Sequence, residues 1–186
     1  KLTDEGKINL DDKFSAYWPE WKSSLFHPSN KEDLKWREIL AHQAGLIPYL
    51  NFWQETAKDG ELQNRWYSFQ KTDKYQVEVA PGLFLKNKFK KKIYKDIRKS
   101  KLNAPGKYVY SGLSFLLIPQ LTENLSGQTY TDFLETNFYH SLGAHNITYN
   151  PLNKFPKHQI IPTEYDAYYR KKQVQGTVHD EAAAVF

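Results

Sequence analysis

The segment 86–101 constrains the fold most, because its charges and apolar side chains follow the period of an α-helix. It contains nine Lys or Arg residues and one acid, while Phe89, Ile93, Tyr94 and Ile97 recur at steps of three and four. This spacing predicts an amphipathic helix with one face in a core and a basic face towards solvent. The whole chain has a formal charge of +5, so the segment, which contributes +8, leaves the other residues with a net −3.

Composition excludes several classes of protein. With 186 residues, of which 16% are aromatic, the chain can bury a core of large rings, which excludes a disordered or low-complexity chain. The absence of cysteine excludes disulfides, a thiolate metal site and a cysteine nucleophile. No window approaches the roughly 18 apolar residues of a membrane span, so we expect none in this segment. Since the chain lacks methionine and begins with Lys1, we expect a piece of a longer protein.

The remaining periodicity predicts a mainly α chain. Asn30 is a candidate N-cap, Pro119 is expected to kink or divide the helix that contains it, and glycines end several of the helices. The predicted helices cover residues 30–42, 113–125 and 131–142, and one or two further helices are predicted over 50–69. Residues 75–79 are predicted to form a strand or an extended loop, and residues 145–186 are expected to form a long irregular segment.

A search for nucleophile motifs returns one formal match. Ser68-Phe69-Gln70-Lys71 fits Ser-x-x-Lys, in which a lysine one helical turn on takes the serine proton. We interpret this match as accidental, because the polar residues 72–74 follow where a buried helix needs an apolar run. Lys58-Asp59-Gly60 is likewise a poor substitute for the Lys-Thr-Gly of a catalytic strand. Gly-x-Ser-x-Gly, His-Glu-x-x-His, P-loop and dinucleotide motifs are absent from the sequence.

The histidines form no metal-binding motif. Six are present, at positions 27, 42, 140, 145, 158 and 179, and they are too scattered for a helix-spaced pair. Only His179-Asp180-Glu181 groups a histidine with carboxylates, and we interpret His179 as a loop residue that is hydrogen-bonded to backbone. We therefore expect no metal site.

The basic segment also allows a binding function. Lysines can bind phosphates and aromatic rings can stack on bases, which is the pattern of a nucleic-acid binder. A run of lysines opposite an apolar stripe is usually a solvated face, however, and most aromatic residues lie elsewhere in the sequence. We therefore expect no nucleic-acid partner, and we keep a basic adaptor that binds acidic polymers through residues 86–101 as an alternative.

Five stretches in chain order resemble segments of a known family: 2–12 with 17–21, 39–46, 104–115, 125–130 with 142–144, and 175–182. The second, Ile39-Leu40-Ala41-His42-Gln43-Ala44-Gly45-Leu46, is similar to Leu-x-x-His-x-Ser-Gly-Leu, with Ala44 in place of the usual serine. In the third, Pro105-Gly106 precedes Tyr110-Ser111-Gly112, which is similar to Tyr-x-Asn. Together the stretches resemble the serine β-lactamase and penicillin-binding-protein family, in its class C-like branch of β-lactamases, esterases and D-amino-acid peptidases.

The resemblance implies one partial domain over residues 1–186, the helical subdomain of the α+β serine β-lactamase/transpeptidase-like fold. The family uses a Ser-x-x-Lys pair, and the tyrosine of Tyr-x-Asn acts as general base or proton shuttle, which makes Tyr110 the catalytic candidate. Ser111 and Gly112 are its motif neighbours. The Ser-x-x-Lys pair would precede this chain and the Lys-Thr-Gly-like strand would follow it. Four residues are expected in supporting loops: His42, Gly45, His179 and Asp180.

The implied reaction is acyl transfer through a serine ester on β-lactams, D-Ala peptides or small esters, without a cofactor. The implied partners are a small-molecule or peptidoglycan-derived substrate and the rest of the parent chain. Members of this family generally act outside the cytoplasm, so a periplasmic or secreted protein is expected. The 186 residues alone are expected to be inactive, because the nucleophile lies outside them.

Two points leave alternatives open: the residue at position 112 and the ionisation of Tyr110. Gly112 stands where the family has Asn or Asp, so the side-chain amide that orients the substrate is missing, and Ser111 could replace it only in part. The alternative function is a non-catalytic module of the same fold that binds cell-wall peptide or glycan. Tyrosine ordinarily ionises near pH ~10, so Tyr110 needs cationic neighbours to act as a base. Its alternative role is that of a buried tyrosine at a turn.

Overall fold

The computed structural model describes residues 1–185 and shows an α+β arrangement of short helices and three small sheets. The α-helices are α1 Phe14–Tyr17, α2 Trp36–Leu40, α3 Lys88–Lys99, α4 Ile118–Ser126 and α5 Tyr130–Leu134. The strands are β1 Ala57–Lys58, β2 Glu61–Leu62, β3 Tyr67–Ser68, β4 Tyr75–Ala80, β5 Leu83–Lys86, β6 Glu164–Asp166 and β7 Lys172–Val174. Short 3₁₀ helices cover Pro19–Trp21, Trp53–Thr56, Pro151–Asn153, Lys157–Gln159 and Ala183–Val185, and a π-helical turn covers Glu135–Tyr139.

All three sheets are antiparallel. β1 pairs with β2, β5 lies between β3 and β4, and β6 pairs with β7. In the three-stranded sheet, Tyr67 lies opposite Leu85, and Glu78 lies opposite Phe84. Along β5, Leu83 and Leu85 are buried while Phe84 is half-buried, which is the alternation of a strand that packs one face on a core.

The prediction of a mainly α chain is wrong, because about 30% of the structure is helical and 16% is strand. The largest error is at residues 50–69, which were predicted as helix and instead form Trp53–Thr56 followed by β1, β2 and β3. Asp59 and Gly60 have φ angles of 53° and 77°, the conformation of a tight hairpin turn between β1 and β2. The Asp-Gly turn therefore overrides the apolar pattern around it.

The basic helix predicted in the segment 86–101 is confirmed as α3, and residues 75–79, predicted as a strand or an extended loop, lie in strand β4. Phe89, Ile93 and Ile97 are all buried, as the periodicity requires. No helix among residues 1–185 is long and apolar enough to cross a membrane.

The other predicted helices are shorter than expected. Of residues 30–42 only α2 is helical, and of residues 113–125 only those from Ile118 onward are. Pro119 lies in the first turn of α4, where its missing N–H leaves no hydrogen bond unmade, so it begins the helix instead of kinking it. The helix predicted over 131–142 is α-helical only to Leu134 and continues as the π-helical turn.

The chain divides into two compact units. The first unit comprises residues 1–50 and 94–133, and the second comprises residues 51–93 and 134–186. In the first unit, the ring of Phe14 packs on those of Trp21 and Trp36, with centroids 4.6 and 4.5 Å apart. The single partial domain expected from the sequence stays a prediction.

A buried lysine lies in the first unit. The Lys31 ammonium donates hydrogen bonds to the carbonyl oxygens of Arg98 (3.2 Å) and Ser100 (2.6 Å) and to the side-chain oxygen of Asn30 (2.9 Å). Arg98 and Ser100 lie around the C-terminus of α3, where carbonyl groups lack helical partners and a cation is favoured. Burial nevertheless lowers the pKa of Lys31 from the ordinary 10.5 to about 8.

A buried ion pair organises the second unit. Asp166 accepts hydrogen bonds from the backbone N–H and the guanidinium of Arg170, at 3.0 and 3.4 Å, and the Arg170 side chain is fully buried. The same guanidinium donates to the carbonyl oxygens of Val79, Val178 and His179 at 3.0 to 3.1 Å. Arg170 therefore connects the end of β4, the turn between β6 and β7 and the segment after β7.

We predict that Lys31 makes the free energy of unfolding rise with pH between pH 8 and 10.5. In this window the unfolded chain still binds the lysine proton while the folded chain has released it, so raising the pH favours the folded state. The pKa difference limits this gain to about 3 kcal/mol. Below pH 8 both states are protonated, and the contribution no longer changes with pH.

Urea denaturation on both sides of pH 8 measures this effect. The wild type should gain stability relative to Lys31→Met as the pH rises, while the titrations common to both proteins cancel. Lys35→Met, at an exposed lysine of the same unit, is the matched control and should keep a constant difference from the wild type. The prediction is wrong if the free energies of unfolding of the wild type and Lys31→Met differ by the same amount at every pH.

Candidate active site

Two segments of the first unit lie side by side and carry most of the residues predicted for the site. We name residues 42–48 the histidine loop and residues 102–112 the tyrosine segment. Backbone hydrogen bonds of 2.7 to 3.3 Å join them, with the N–H groups of Asn103, Gly106, Val109 and Gly112 donating to the carbonyl oxygens of Gly45, Gln43, His42 and Pro48, respectively. The main chain therefore fixes the position of one segment against the other.

Gly45 allows the two segments to approach this closely. Its φ of +78° lies in the left-handed region, which glycine adopts without strain. A Cβ atom at this position would lie 2.3 Å from the carbonyl oxygen of Asn103. Only glycine fits here, and the structure thus places Gly45 at the contact of the histidine loop with the tyrosine segment.

His42 connects the two segments through its side chain. Its Nδ1 accepts a hydrogen bond of 3.2 Å from the backbone N–H of Ser111. Because an N–H group only donates, Nδ1 carries the lone pair, and the proton of the neutral ring lies on Nε2. The φ of His42 is +54°, in the left-handed region, so the loop holds this residue in a conformation that costs energy for any residue with a Cβ.

Three aromatic rings surround the imidazole of His42. The ring of Tyr110 lies 4.8 Å away, Phe115 stacks at 5.2 Å and Tyr108 makes an edge contact at 5.7 Å, measured between centroids. Sequence reasoning selected Tyr110 and His42 but missed Tyr108 and Phe115. The available signal was their position within the stretch 104–115, which carries the resemblance.

Tyr110 faces solvent. The residue is 64% exposed, so the alternative of a buried tyrosine at a turn is wrong. Among residues 1–185, its hydroxyl has no hydrogen bond to a lysine or arginine. The structure therefore presents a phenol that rests on the His42 ring and is open to a reactant. The cation that would stabilise its phenolate is not among the contacts of this part of the chain.

The two motif neighbours of Tyr110, Ser111 and Gly112, differ in whether they could contact a ligand. Ser111 is buried, and its hydroxyl donates to the carbonyl oxygen of Ile47 at 2.7 Å while accepting from the N–H of Leu113 at 3.4 Å. Ser111 is therefore engaged in holding the histidine loop. Gly112 has an ordinary φ, and a Cβ atom there would meet nothing within 4 Å, so the space for a larger side chain is open.

His179 and Asp180 lie in the second unit. Nδ1 of His179 is 3.2 Å from a carboxylate oxygen of Glu164, at the surface. Asp180 accepts a hydrogen bond of 2.7 Å from the N–H of Ala183 at the start of the last 3₁₀ helix. In the part of the chain that the structure describes, no group of three His, Cys, Asp or Glu side chains could hold a metal ion.

The formal nucleophile motifs have other roles. Ser68 lies in β3 and donates to the carbonyl oxygen of Gln70 at 2.7 Å, so Lys71 is not one helical turn away from it. Lys58 ends β1, and Asp59-Gly60 form the hairpin turn that follows. Ser-x-x-Lys requires a helix and Lys-Thr-Gly requires a continuous strand, and neither stretch has that backbone.

The family of this chain follows from its match to a family model. The Beta-lactamase family model matches residues 1–183. The chain belongs to the β-lactamase family. The resemblance found in the five stretches is thereby confirmed at the level of the family.

Relatives of this β-lactamase-family chain are bacterial proteins. It is 26% identical to a "Putative D-alanyl-D-alanine carboxypeptidase" of Escherichia coli (strain K12). It is 27% identical to an N-acetylmuramyl-L-alanine amidase of Bacillus subtilis (strain 168), and both alignments cover 98% of the present chain. It spans only 40% and 39% of these two relatives. A solved penicillin-binding protein homologue from Caulobacter crescentus is 18% identical over 76% of this chain and 30% of that chain, with a TM-score of 0.46.

We predict that Gly45→Ala destabilises the first unit far more than Gly127→Ala. Both glycines have positive φ, so each alanine costs about 1–2 kcal/mol of backbone strain. Only at Gly45 does the added Cβ also meet a backbone oxygen, which should add about 1–3 kcal/mol because two hydrogen-bonded segments must move apart. Chemical denaturation of both variants measures the difference. Equal losses of stability would show that the close approach to Asn103 is unimportant.

Proposed function

We propose that this chain is the part of a serine hydrolase that supplies the active-site tyrosine for acyl transfer on D-Ala peptides, β-lactams or small esters. The observation that carries the proposal is the exposed Tyr110, seated on the His42 ring at the end of a segment fixed by main-chain hydrogen bonds. Membership of the β-lactamase family and relatives named as a carboxypeptidase and an amidase support it.

In the proposed reaction, a serine and a lysine from the remainder of the parent protein meet Tyr110. The serine oxygen attacks the substrate carbonyl carbon while its proton passes to the Tyr110 phenolate. The proton then moves to the leaving nitrogen or oxygen as that bond to the carbonyl carbon breaks, and water later hydrolyses the serine ester. The lysine ammonium stabilises the phenolate, since the described residues place no cation on the Tyr110 hydroxyl.

His42 is the positioning residue of this scheme. Its Nδ1 is occupied by the Ser111 N–H, so it does not accept the serine proton there. Its ring instead supports the ring of Tyr110, and its hydrogen bond fixes the residue that follows Tyr110. The loss of either contact would let the phenol move away from the attacking oxygen, and small displacements of a catalytic group reduce rates strongly.

Gly112 favours a second candidate function, a non-catalytic module that binds cell-wall peptide or glycan. The Asn or Asp that orients the substrate in the family is absent at this position. The Ser111 hydroxyl cannot take its place, because it is buried and already bonded to Ile47. Both proposed functions fit a protein of the periplasm or the cell exterior, with a small-molecule or peptidoglycan-derived ligand.

The first prediction from this proposal concerns Tyr110→Phe in the full-length parent protein. Removing the hydroxyl should slow the formation of the penicillin adduct by about 10²–10⁴-fold, the usual contribution of a general base. Mass spectrometry after incubation with a penicillin measures the adduct. Tyr108→Phe is the matched control, since Tyr108 is equally exposed and contacts the same histidine, and it should react at the wild-type rate. Equal rates for the wild type and Tyr110→Phe would remove Tyr110 from the mechanism.

The second prediction concerns Gly112→Asn, which restores the amide that the family uses. The parent protein with this change should acylate faster than the wild type, while Gly112→Ala, which adds only the Cβ, should not. Both variants should keep the wild-type stability, because the Cβ enters open space and φ is ordinary. The contradicting outcome is that all three proteins, the wild type, Gly112→Asn and Gly112→Ala, bind a D-Ala peptide but form no acyl adduct. In that case the binding module replaces the hydrolase as the proposed function.

A further inference from the structure

Helix α3 carries a stripe of lysines that the proposed reaction does not use. Among its lysines, Lys88, Lys91, Lys95 and Lys99 are the exposed ones, at steps of three, four and four residues, so they lie along one face. We name these four residues the lysine stripe. With a rise of 1.5 Å per residue, the stripe extends over roughly 16 Å along the helix.

The lysine stripe lacks negative partners. Among residues 1–185, none of its four side chains forms an ion pair or a hydrogen bond, whereas Lys92 of the same helix is paired with Glu55. Lysines three and four residues apart on a helix repel one another, and Lys88 lies in the first turn, where the helix dipole disfavours a cation. Lys99 lies in the last turn, where the dipole favours a cation, so the cost arises from Lys88 and from the repulsion between neighbouring lysines, which a bound anion would reduce.

A cleft prolongs the basic surface within the second unit. Its volume is about 340 Å³, and it is lined by Asp73, Lys74, Lys86, Asn87 and Lys88. Asn87 holds the walls together, because its side chain accepts from the N–H of Gln76 at 2.9 Å and donates to the carbonyl oxygen of Asp73 at 2.9 Å. Three lysines against one carboxylate leave the cleft with a net positive charge.

We propose that the lysine stripe binds a linear polymer of phosphate groups. A ligand with a single anion can meet only one or two of the lysines, whereas a chain of anions can meet all four and continue into the cleft. Phe89, Ile93 and Ile97 are buried on the opposite face, so α3 offers no exposed apolar side chain to enter a membrane. The same burial leaves no fully exposed ring on α3 for stacking on bases, which disfavours a nucleic acid.

Binding of long-chain inorganic polyphosphate to the chain tests this proposal. Four neutralised phosphates on a single-stranded polyanion give a slope near −3 in a plot of log K against log salt, so affinity should fall about 50-fold for a fourfold rise in salt. Inorganic tripolyphosphate should bind much more weakly than the long polymer. Lys88→Gln, Lys91→Gln, Lys95→Gln and Lys99→Gln together should abolish both the binding and its salt dependence.

The matched control replaces four exposed lysines elsewhere by glutamine: Lys22, Lys58, Lys154 and Lys157. It makes the same change in net charge and should keep most of the affinity. Glutamine has a helix propensity close to that of lysine, so circular dichroism should show α3 intact in the stripe variant. Equal losses in both variants, equal affinity for tripolyphosphate, or stronger binding of single-stranded DNA or anionic vesicles at equal phosphate concentration would overturn the proposal.

Discussion

The site depends on the hydrogen-bonded contact between the histidine loop and the tyrosine segment. Main-chain groups make this contact, Gly45 permits its short distance, and the bond from Ser111 to His42 connects a side chain to it. None of these contacts is an ion pair, so screening by salt should have little effect on them. The tyrosine segment is thus held by contacts within the first unit.

The contacts that hold the two segments together do not involve a side chain at position 112. His42 retains a positive φ that costs energy, which is a feature of sites where the backbone is constrained for a purpose. Gly112 takes part in the contacts between the segments through its backbone N–H, which donates to the carbonyl oxygen of Pro48, but its Cβ position opens into empty space. A larger side chain at this residue therefore fits without disturbing the contacts between the histidine loop and the tyrosine segment.

The sequence was most informative where one pattern extends over several turns. Helix α3 was predicted because three turns of periodic apolar residues leave one interpretation, whereas residues 50–69 were misread because Asp59-Gly60 turns the chain inside an aromatic run. His42, Gly45 and Tyr110 came from the resemblance, but the bond from Ser111 to His42 has no signal in the sequence. Lys31 was missed for the same reason, since its partners include carbonyl oxygens near the end of a distant helix.

The buried guanidinium of Arg170 bears on the order in which the chain folds. Its hydrogen bond to the carbonyl oxygen of Val79 joins residues 91 positions apart, and the second unit is assembled from two stretches separated by residues 94–133. Closing a loop of this length costs entropy before any contact compensates for it. During synthesis, the carbonyl oxygen of Val79 therefore lacks its guanidinium partner until the later stretch has been made and has returned to β4.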